Sequence, residues 1–119
     1  EALKYEPENV ELYYLAGYAN ESTNNIPAAK KYYVQVLNLD ENNFDANLAL
    51  GLIYLNEFLK NSEEDFEAQY KTQEYLLKAN AIKPYAVNAL KGLALFYETT
   101  KDDDQLDRVN LLLNQLSNN

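Results

Sequence analysis

The sequence predicts an all-α protein, and three observations support this prediction. The 119-residue chain contains only three Gly and three Pro, too few for a turn-rich β-sandwich. Residues that favour helix, above all Leu, Ala, Lys, Glu and Gln, are abundant. Apolar side chains recur at helical spacing, and short polar stretches such as Thr23-Asn24-Asn25 separate them. We therefore expect antiparallel helices joined by short turns, within a single domain over residues 1–119.

The predicted helices follow one another along the whole chain. The second pair is expected to be longer than the others, because apolar spacing continues through the stretch between Asn56 and Gln69. The residues that keep this spacing are Phe58, Leu59, Phe66 and Tyr70. The helices are predicted at residues 9–22, 26–39, 43–60, 63–82, 85–100 and 103–117, after a short helical end at residues 1–6.

An internal repeat organises these helices. The segment Leu50-Gly51-x-x-Tyr54 recurs as Leu93-Ala94-x-x-Tyr97, 43 residues further along. The small residue of each segment falls where two antiparallel helices would cross, and the Leu and Tyr fill the space beside the crossing. A second pattern recurs near each helix end, as Ala2-Leu3 before Pro7, Val36-Leu37 before Glu41, and Ala79 before Pro84.

These residues resemble the tetratricopeptide repeat, a 34-residue helix-turn-helix unit with the segments W-x2-L-G-x2-Y and A-x3-F followed by Pro. The resemblance covers almost the whole chain. The resemblance divides the chain into the end of a preceding repeat or cap at residues 1–9 and three repeats at residues 10–43, 44–86 and 87–119. It implies a right-handed superhelical solenoid of about three antiparallel helix hairpins. It also implies a function, that of binding a peptide or partner protein in a concave groove.

The first repeat fits the pattern in two registers. Tyr13, Ala16 and Gly17 align with the repeat without gaps, whereas Leu12, Leu15, Ala16 and Ala19 give a better burial pattern. We expect the second register. The chain also contains no Trp, so that other residues, such as Asn47 and Leu90, stand at the bulky first position of the motif.

The resemblance places the binding groove on the first helix of each hairpin. The surface would be apolar and aromatic with an acidic rim, and would suit a peptide with apolar anchors and some positive charge. Some of the Leu residues and more than half of the 11 Tyr residues are expected in the core, including Tyr33, Tyr54 and Tyr97. The groove candidates are Tyr14, Tyr18, Asp45, Leu48, Leu52, Leu55, Asn56, Asn88, Lys91, Leu95 and Glu98, joined by Glu21, or by Val10, Tyr13 and Gly17 if the register shifts.

Composition argues against several other functions. A net charge of −9 would repel nucleic acid and anionic membranes, and no apolar run approaches the roughly 20 residues of a membrane-spanning helix. The chain has no His and no Cys, so we expect no enzyme, cofactor or metal site. The acidic runs Glu63-Glu64-Asp65 and Asp102-Asp103-Asp104 are predicted to cap helices instead.

Two alternative functions remain open at this stage. Bacterial type III secretion chaperones resemble this arrangement of three repeats with an acidic body, so the chain could hold a client segment. The chain could also be a structural segment that forms a homo-oligomer through its C-terminal helix. The residues that would form that contact are Leu106, Val109, Leu112, Leu113 and Leu116.

Overall fold

The prediction of an all-α chain is confirmed by the computed structural model, which describes residues 7–62 and 64–118. The predicted helical end at residues 1–6 lies outside this range. The described residues form six helices and no strand. These are α1 (Pro7–Ser22), α2 (Ile26–Leu39), α3 (Phe44–Lys60), α4 (Phe66–Ile82), α5 (Val87–Thr100) and α6 (Asp103–Ser117).

Aspartate side chains cap two of the helix starts. The carboxylate of Asp65 accepts a hydrogen bond of 3.0 Å from the backbone N–H of Ala68, so α4 begins later than predicted. Asp102 accepts one of 3.3 Å from the N–H of Gln105 at the start of α6. These bonds satisfy amides that have no partner inside the helix. The capping role predicted for the acidic runs is confirmed at these two residues.

The helices pack as three consecutive hairpins, α1 with α2, α3 with α4, and α5 with α6. We call α1, α3 and α5 the first helices and α2, α4 and α6 the second helices. Between hairpins, α2 packs against α3, α4 packs against α5, and α3 also contacts α5. The Cα radius of gyration is 15.0 Å, compared with about 13.5 Å for a compact domain of this length. Each hairpin packs against the hairpin that follows it in the chain.

Glycines on the first helices make room for a large side chain from the second helix. A Cβ atom at Gly17 would lie 2.7 Å from the ring of Tyr33, and one at Gly51 would lie 2.6 Å from Leu76 Cδ2. Both Tyr33 and Leu76 are fully buried. The close approach predicted at Gly51 is therefore present, and the first hairpin repeats it with Gly17.

The same second-helix side chains reach the next hairpin. Leu76 Cδ1 lies 3.3 Å from the Cβ position of Gly92 on α5, while Tyr33 packs with Leu50 and Ile53 on α3. A polar contact reinforces the α2–α3 junction, because Lys30 Nζ lies 2.7 Å from Glu57 Oε2. Since both partners of this ion pair are partly exposed, it contributes at most about 1 kcal/mol. Apolar packing therefore dominates the junctions.

The register expected for α1 is wrong. Leu12 and Leu15 are 63% and 50% exposed, and Ala19 is exposed. Val10 and Gly17 are buried instead, because Gly17 must face Tyr33 for the two helices to approach. The gapless alignment is therefore the correct one.

Other burial predictions hold only in part. The second hairpin is longer, with 17 residues in each helix, but of the four residues thought to continue its core only Phe58 is buried; Leu59, Phe66 and Tyr70 are exposed. They lie near the hairpin tip, where fewer neighbours cover them. Among the described tyrosines Tyr33 and Tyr97 are buried, while Tyr54 is half-buried.

The C-terminal helix directs its apolar side chains into the protein's own core. Val109 is buried against α5, and Leu106, Leu112, Leu113 and Leu116 pack around the same cluster. These residues are therefore largely committed to intramolecular packing, which weakens the reason for expecting them to pair with a second copy.

Substitution of Gly51 tests the close helix approach. Gly51→Ala would place a methyl group 2.6 Å from Leu76 Cδ2 and 3.2 Å from the backbone nitrogen of the same residue. We expect it to lower the free energy of unfolding by about 1–3 kcal/mol, as overpacking does. Urea denaturation followed by circular dichroism measures this change.

Gly92→Ala is the matched control. Its methyl group would meet only the flexible ends of Leu52 and Leu76, at 3.1 Å or more, and Ala gains about 1 kcal/mol of helix propensity over Gly. We expect stability within about 1 kcal/mol of the parent. A Gly51→Ala protein as stable as the Gly92→Ala protein would contradict the packing described for Leu76.

Candidate functional site

The three first helices lie side by side in the order α1, α3, α5. Tyr14 of α1 packs against two core clusters to which α2 and α3 both contribute, and it experiences the charge of Asp45 on α3. Leu52 of α3 lies 3.1 Å from the Cβ position of Gly92 on α5. We call the predicted groove residues on these helices, together with Glu21, the first-helix face. The structure joins its α1 and α3 parts around Tyr14, and its α3 and α5 parts around Leu52.

The α1 part of the face combines aromatic rings and carboxylates. Tyr18 is 58% exposed, and Tyr14 is half-buried, with its ring centroid 5.6 Å from that of Tyr33. The hydroxyl of Tyr33 donates a hydrogen bond of 2.8 Å to Glu21 Oε1. This bond holds the Glu21 carboxylate in place beside the two partly exposed rings.

The buried tyrosines of this region are held in their neutral form. Burial raises the pKa of Tyr14, and the nearby carboxylates of Asp45 and Glu21 raise it further. Burial also raises the pKa of Tyr33, and its hydrogen bond to Glu21 adds to the effect. The physical cause is that a phenolate would lose its hydration and face negative charge. These hydroxyls therefore remain hydrogen-bond donors.

The α3 part of the face is more deeply packed than expected. Leu48 and Leu52 are half-buried and pack against the core cluster around α5. Leu55 is 3% exposed and belongs to the same cluster, so its assignment to the groove is wrong. It lies in the core that α3 shares with α4 and α5. Asp45 and Asn56 are exposed; Asn56 lines a recess of about 130 Å³ that it shares with Glu21.

The α5 part is the most accessible. Leu95 is 48% exposed, and Asn88, Lys91 and Glu98 are also exposed. Lys91 lines a recess of about 290 Å³ between the start of α5 and the end of α6, whose apolar lining includes Val87, Leu113 and Leu116. The α5 part therefore offers one accessible aliphatic side chain between polar groups.

The face is predominantly acidic. Its carboxylates are Glu21, Asp45 and Glu98, and its ammonium group is Lys91. This imbalance follows the net charge of −9 for the whole chain. A surface of this kind attracts positively charged partners over distances of about a Debye length, roughly 8–10 Å at physiological salt.

Sequence reasoning missed the exposed apolar residues on the other side of α1, Leu12 and Leu15. The available signal was the size of the residues at the matching positions in the later repeats. Those positions hold Ala46 and Ala49 on α3, and small residues permit the close approach of another helix. Large aliphatic residues at the same positions of α1 indicated a different environment.

Residues 7–62 and 64–118 show neither of two other kinds of site. No group of three or more His, Cys, Asp or Glu side chains in these ranges could hold a metal ion. None of the helices described there combines the length and the apolar character needed to cross a bilayer.

Comparison with known proteins gives one informative likeness. The chain is 32% identical over 77 residues to the Sol locus transcriptional repressor of Clostridium acetobutylicum. The matched stretch covers 65% of this chain and 22% of the repressor, so this chain spans about a fifth of that relative's length. No family model and no solved structure matches the chain. The likeness is thus to one segment of a longer protein.

The tyrosines whose pKa is raised predict a loss of stability at alkaline pH. In the unfolded chain tyrosine ionises near pH 10, whereas the folded-state pKa of Tyr14, Tyr33, Tyr75 and Tyr97 is higher. Above pH 10 the unfolded state therefore binds fewer protons than the folded state, and the free energy of unfolding falls as pH rises. Below pH 10 the contribution of these four tyrosines to the free energy of unfolding is fully present.

Tyr33→Phe should make this fall shallower. One tyrosine contributes a slope of up to about 1.4 kcal/mol per pH unit above pH 10, and Phe cannot ionise. Urea denaturation at a series of pH values measures the slope for parent and variant. Between pH 7 and 9 the two curves should run parallel, which serves as the control because tyrosine is protonated in both states there. Equal slopes above pH 10 would show that Tyr33 ionises freely in the folded protein.

Proposed function

We propose that this chain is a protein-binding module and that its first-helix face holds a segment of another protein. The observation that carries the proposal is the row formed by Tyr18, Leu52 and Leu95. These residues occupy the same helical position on α1, α3 and α5, and two of them are about half exposed. Tyr18 and Leu95 each have a carboxylate three residues later on the same helix, Glu21 and Glu98, and such an arrangement suits a ligand with apolar anchors and positive charge.

The proposal includes an open solenoid of the tetratricopeptide type. Two contacts support it, because they recur with the repeat. Tyr33 fills the space beside Gly17 and packs with Leu50 and Ile53 of the next hairpin. Leu76, 43 residues later in the sequence, fills the space beside Gly51 and reaches Gly92 of the next hairpin. A unit that contacts only its neighbours in this way is the defining property of a solenoid.

The ligand we propose is an extended or helical peptide with aliphatic and basic residues. Its apolar side chains would contact Tyr18 and Leu95, and its basic groups would pair with Glu21, Asp45 or Glu98. A basic group could also stack on the Tyr18 ring, an interaction worth about 0.5–1 kcal/mol at an exposed site. Part of the affinity should therefore be lost at high salt.

The likeness to a transcriptional repressor favours a second, related proposal, that the chain belongs to a regulatory protein. A net charge of −9 opposes direct contact with the DNA backbone, whose binding depends on cationic side chains. We therefore propose that in such a protein this segment binds a protein partner. We propose no catalytic role, because a chain without His or Cys lacks the usual bases and nucleophiles. A chaperone that holds a client segment would use the same face.

Selection from a displayed library of random peptides tests the proposed ligand class. Peptides enriched on the parent protein should combine Leu, Ile or Val with Lys or Arg. Raising the salt concentration should weaken their binding to the protein. Enrichment of acidic peptides would contradict the proposal, as would a failure to enrich any peptide beyond its level on a support without protein.

Leu95→Glu should abolish binding of the selected peptides without unfolding the protein. Leu95 is about half exposed, and a carboxylate there would remove an anchor contact. We expect affinity to fall by at least about tenfold, or 1.4 kcal/mol, measured by fluorescence anisotropy. Leu52 is less suitable, since it packs against α5 and its replacement would disturb the fold.

Leu77→Glu provides the control. Leu77 is 39% exposed on α4, outside the first-helix face, so the same change should leave affinity within about twofold. Circular dichroism confirms that both variants keep their helices. If both substitutions weaken binding equally, or neither does, the ligand does not occupy the first-helix face.

A further inference from the structure

A strip of exposed apolar residues runs along α1, on a different side from the first-helix face. It consists of Leu12, Leu15 and Ala19, spaced three and four residues apart, so the side chains share one side of the helix. Leu12 and Leu15 are 63% and 50% exposed. We call these three residues the α1 strip.

Five of the six matching positions on the other first helices are buried, and the sixth, Ala49, is half-buried. The residues equivalent to Leu12 are Ala46 and Ala89, both 0% exposed. The residues equivalent to Ala19 are Ile53 and Phe96, which are 5% and 2% exposed. The α1 strip is therefore the one instance among the three first helices in which this side faces solvent within the described part of the chain.

For Ala46, Ile53 and Phe96, covering residues come from the preceding hairpin. Ala46 of α3 packs in a cluster with Val36 of α2. Ile53 of α3 packs in a cluster with Tyr33 of α2. On α5, Phe96 lies with its ring centroid 5.6 Å from that of Phe58 on α3. The side of a first helix that carries the strip is thus the side on which the previous hairpin docks.

We propose that the α1 strip is the docking surface for a helical hairpin of the same kind, which precedes α1 in the same polypeptide. Its second helix would contact α1 as α2 contacts α3 and as α4 contacts α5. It would cover Leu12, Leu15 and Ala19 with a large apolar residue at the position that Tyr33 and Leu76 occupy in the described hairpins. The α1 strip favours this occupant because it lies at the helix positions through which α3 and α5 each contact the hairpin before them.

A second copy of the chain fits the strip less well. Head-to-tail docking would bring α6 of one copy onto α1 of the next. The α6 residue 34 positions after Leu76 is Asn110, which is exposed, as is Asn114 one turn later. These amides offer α1 no apolar counterpart. Two copies with a net charge of −9 each would also repel one another.

The rate at which an introduced thiol is alkylated tests the proposal. Leu15→Cys is made in residues 1–119 alone, which contain no other cysteine, and in the complete polypeptide encoded by the gene. Iodoacetamide labelling of the peptide that contains position 15 is followed by mass spectrometry. Leu12→Cys repeats the measurement, and Leu111→Cys, at a residue 61% exposed on α6, is the matched control.

We expect the thiols at positions 12 and 15 to react at least about tenfold more slowly in the complete polypeptide, since burial limits access, and the thiol at position 111 to react equally fast in both. Equal rates at positions 12 and 15 overturn the proposal, as does a gene product that begins at residue 1. Sedimentation equilibrium of residues 1–119 should give a monomer. A dimer that Leu15→Glu dissociates would assign the strip to a second copy and also overturn it.

Discussion

The structure depends on one packing arrangement, in which a large side chain from a second helix fills the space beside a glycine of its own first helix. Leu76 meets this condition at Gly51 and extends to Gly92 of the next hairpin. Because protein interiors are close-packed, the two ends of such a side chain fix the distance and the rotation of both first helices together. Tyr33 performs the same role beside Gly17, and its hydroxyl adds a bond to Glu21.

This arrangement determines which surfaces are free for function. Contact between first and second helices uses one side of each first helix, and docking of the previous hairpin uses another. On the remaining side Tyr18, Leu52 and Leu95 occupy equivalent positions of the three helices, and we propose that this side contacts the ligand. The same geometry explains why Leu55 is lost from the candidate face, since it lies in the core that α3 shares with α4 and α5. Fold and proposed function therefore rest on the same contacts.

Sequence reasoning could predict the helices and the close approach at Gly51, because periodicity, capping residues and small residues act locally. Periodicity favoured burial of Leu12 and Leu15 and so gave the wrong register for α1, because burial of these residues depends on whether another helix covers them. It also could not foresee the buried Asn47, whose side-chain amide donates to the carbonyls of Asn43 and Glu41. A buried polar residue is stable there because its amide donates hydrogen bonds to backbone carbonyl groups of the α2–α3 turn.

The most direct test of this account is nuclear Overhauser spectroscopy of residues 1–119 with labelled Leu methyl groups. The methyl groups of Leu76 should show cross-peaks to the α-protons of both Gly51 and Gly92, residues that lie 41 positions apart. That result would demonstrate that a single side chain joins two consecutive hairpins. Cross-peaks from Leu76 to Gly51 without any to Gly92 would mean that the hairpins do not stack through this residue, and would contradict the account.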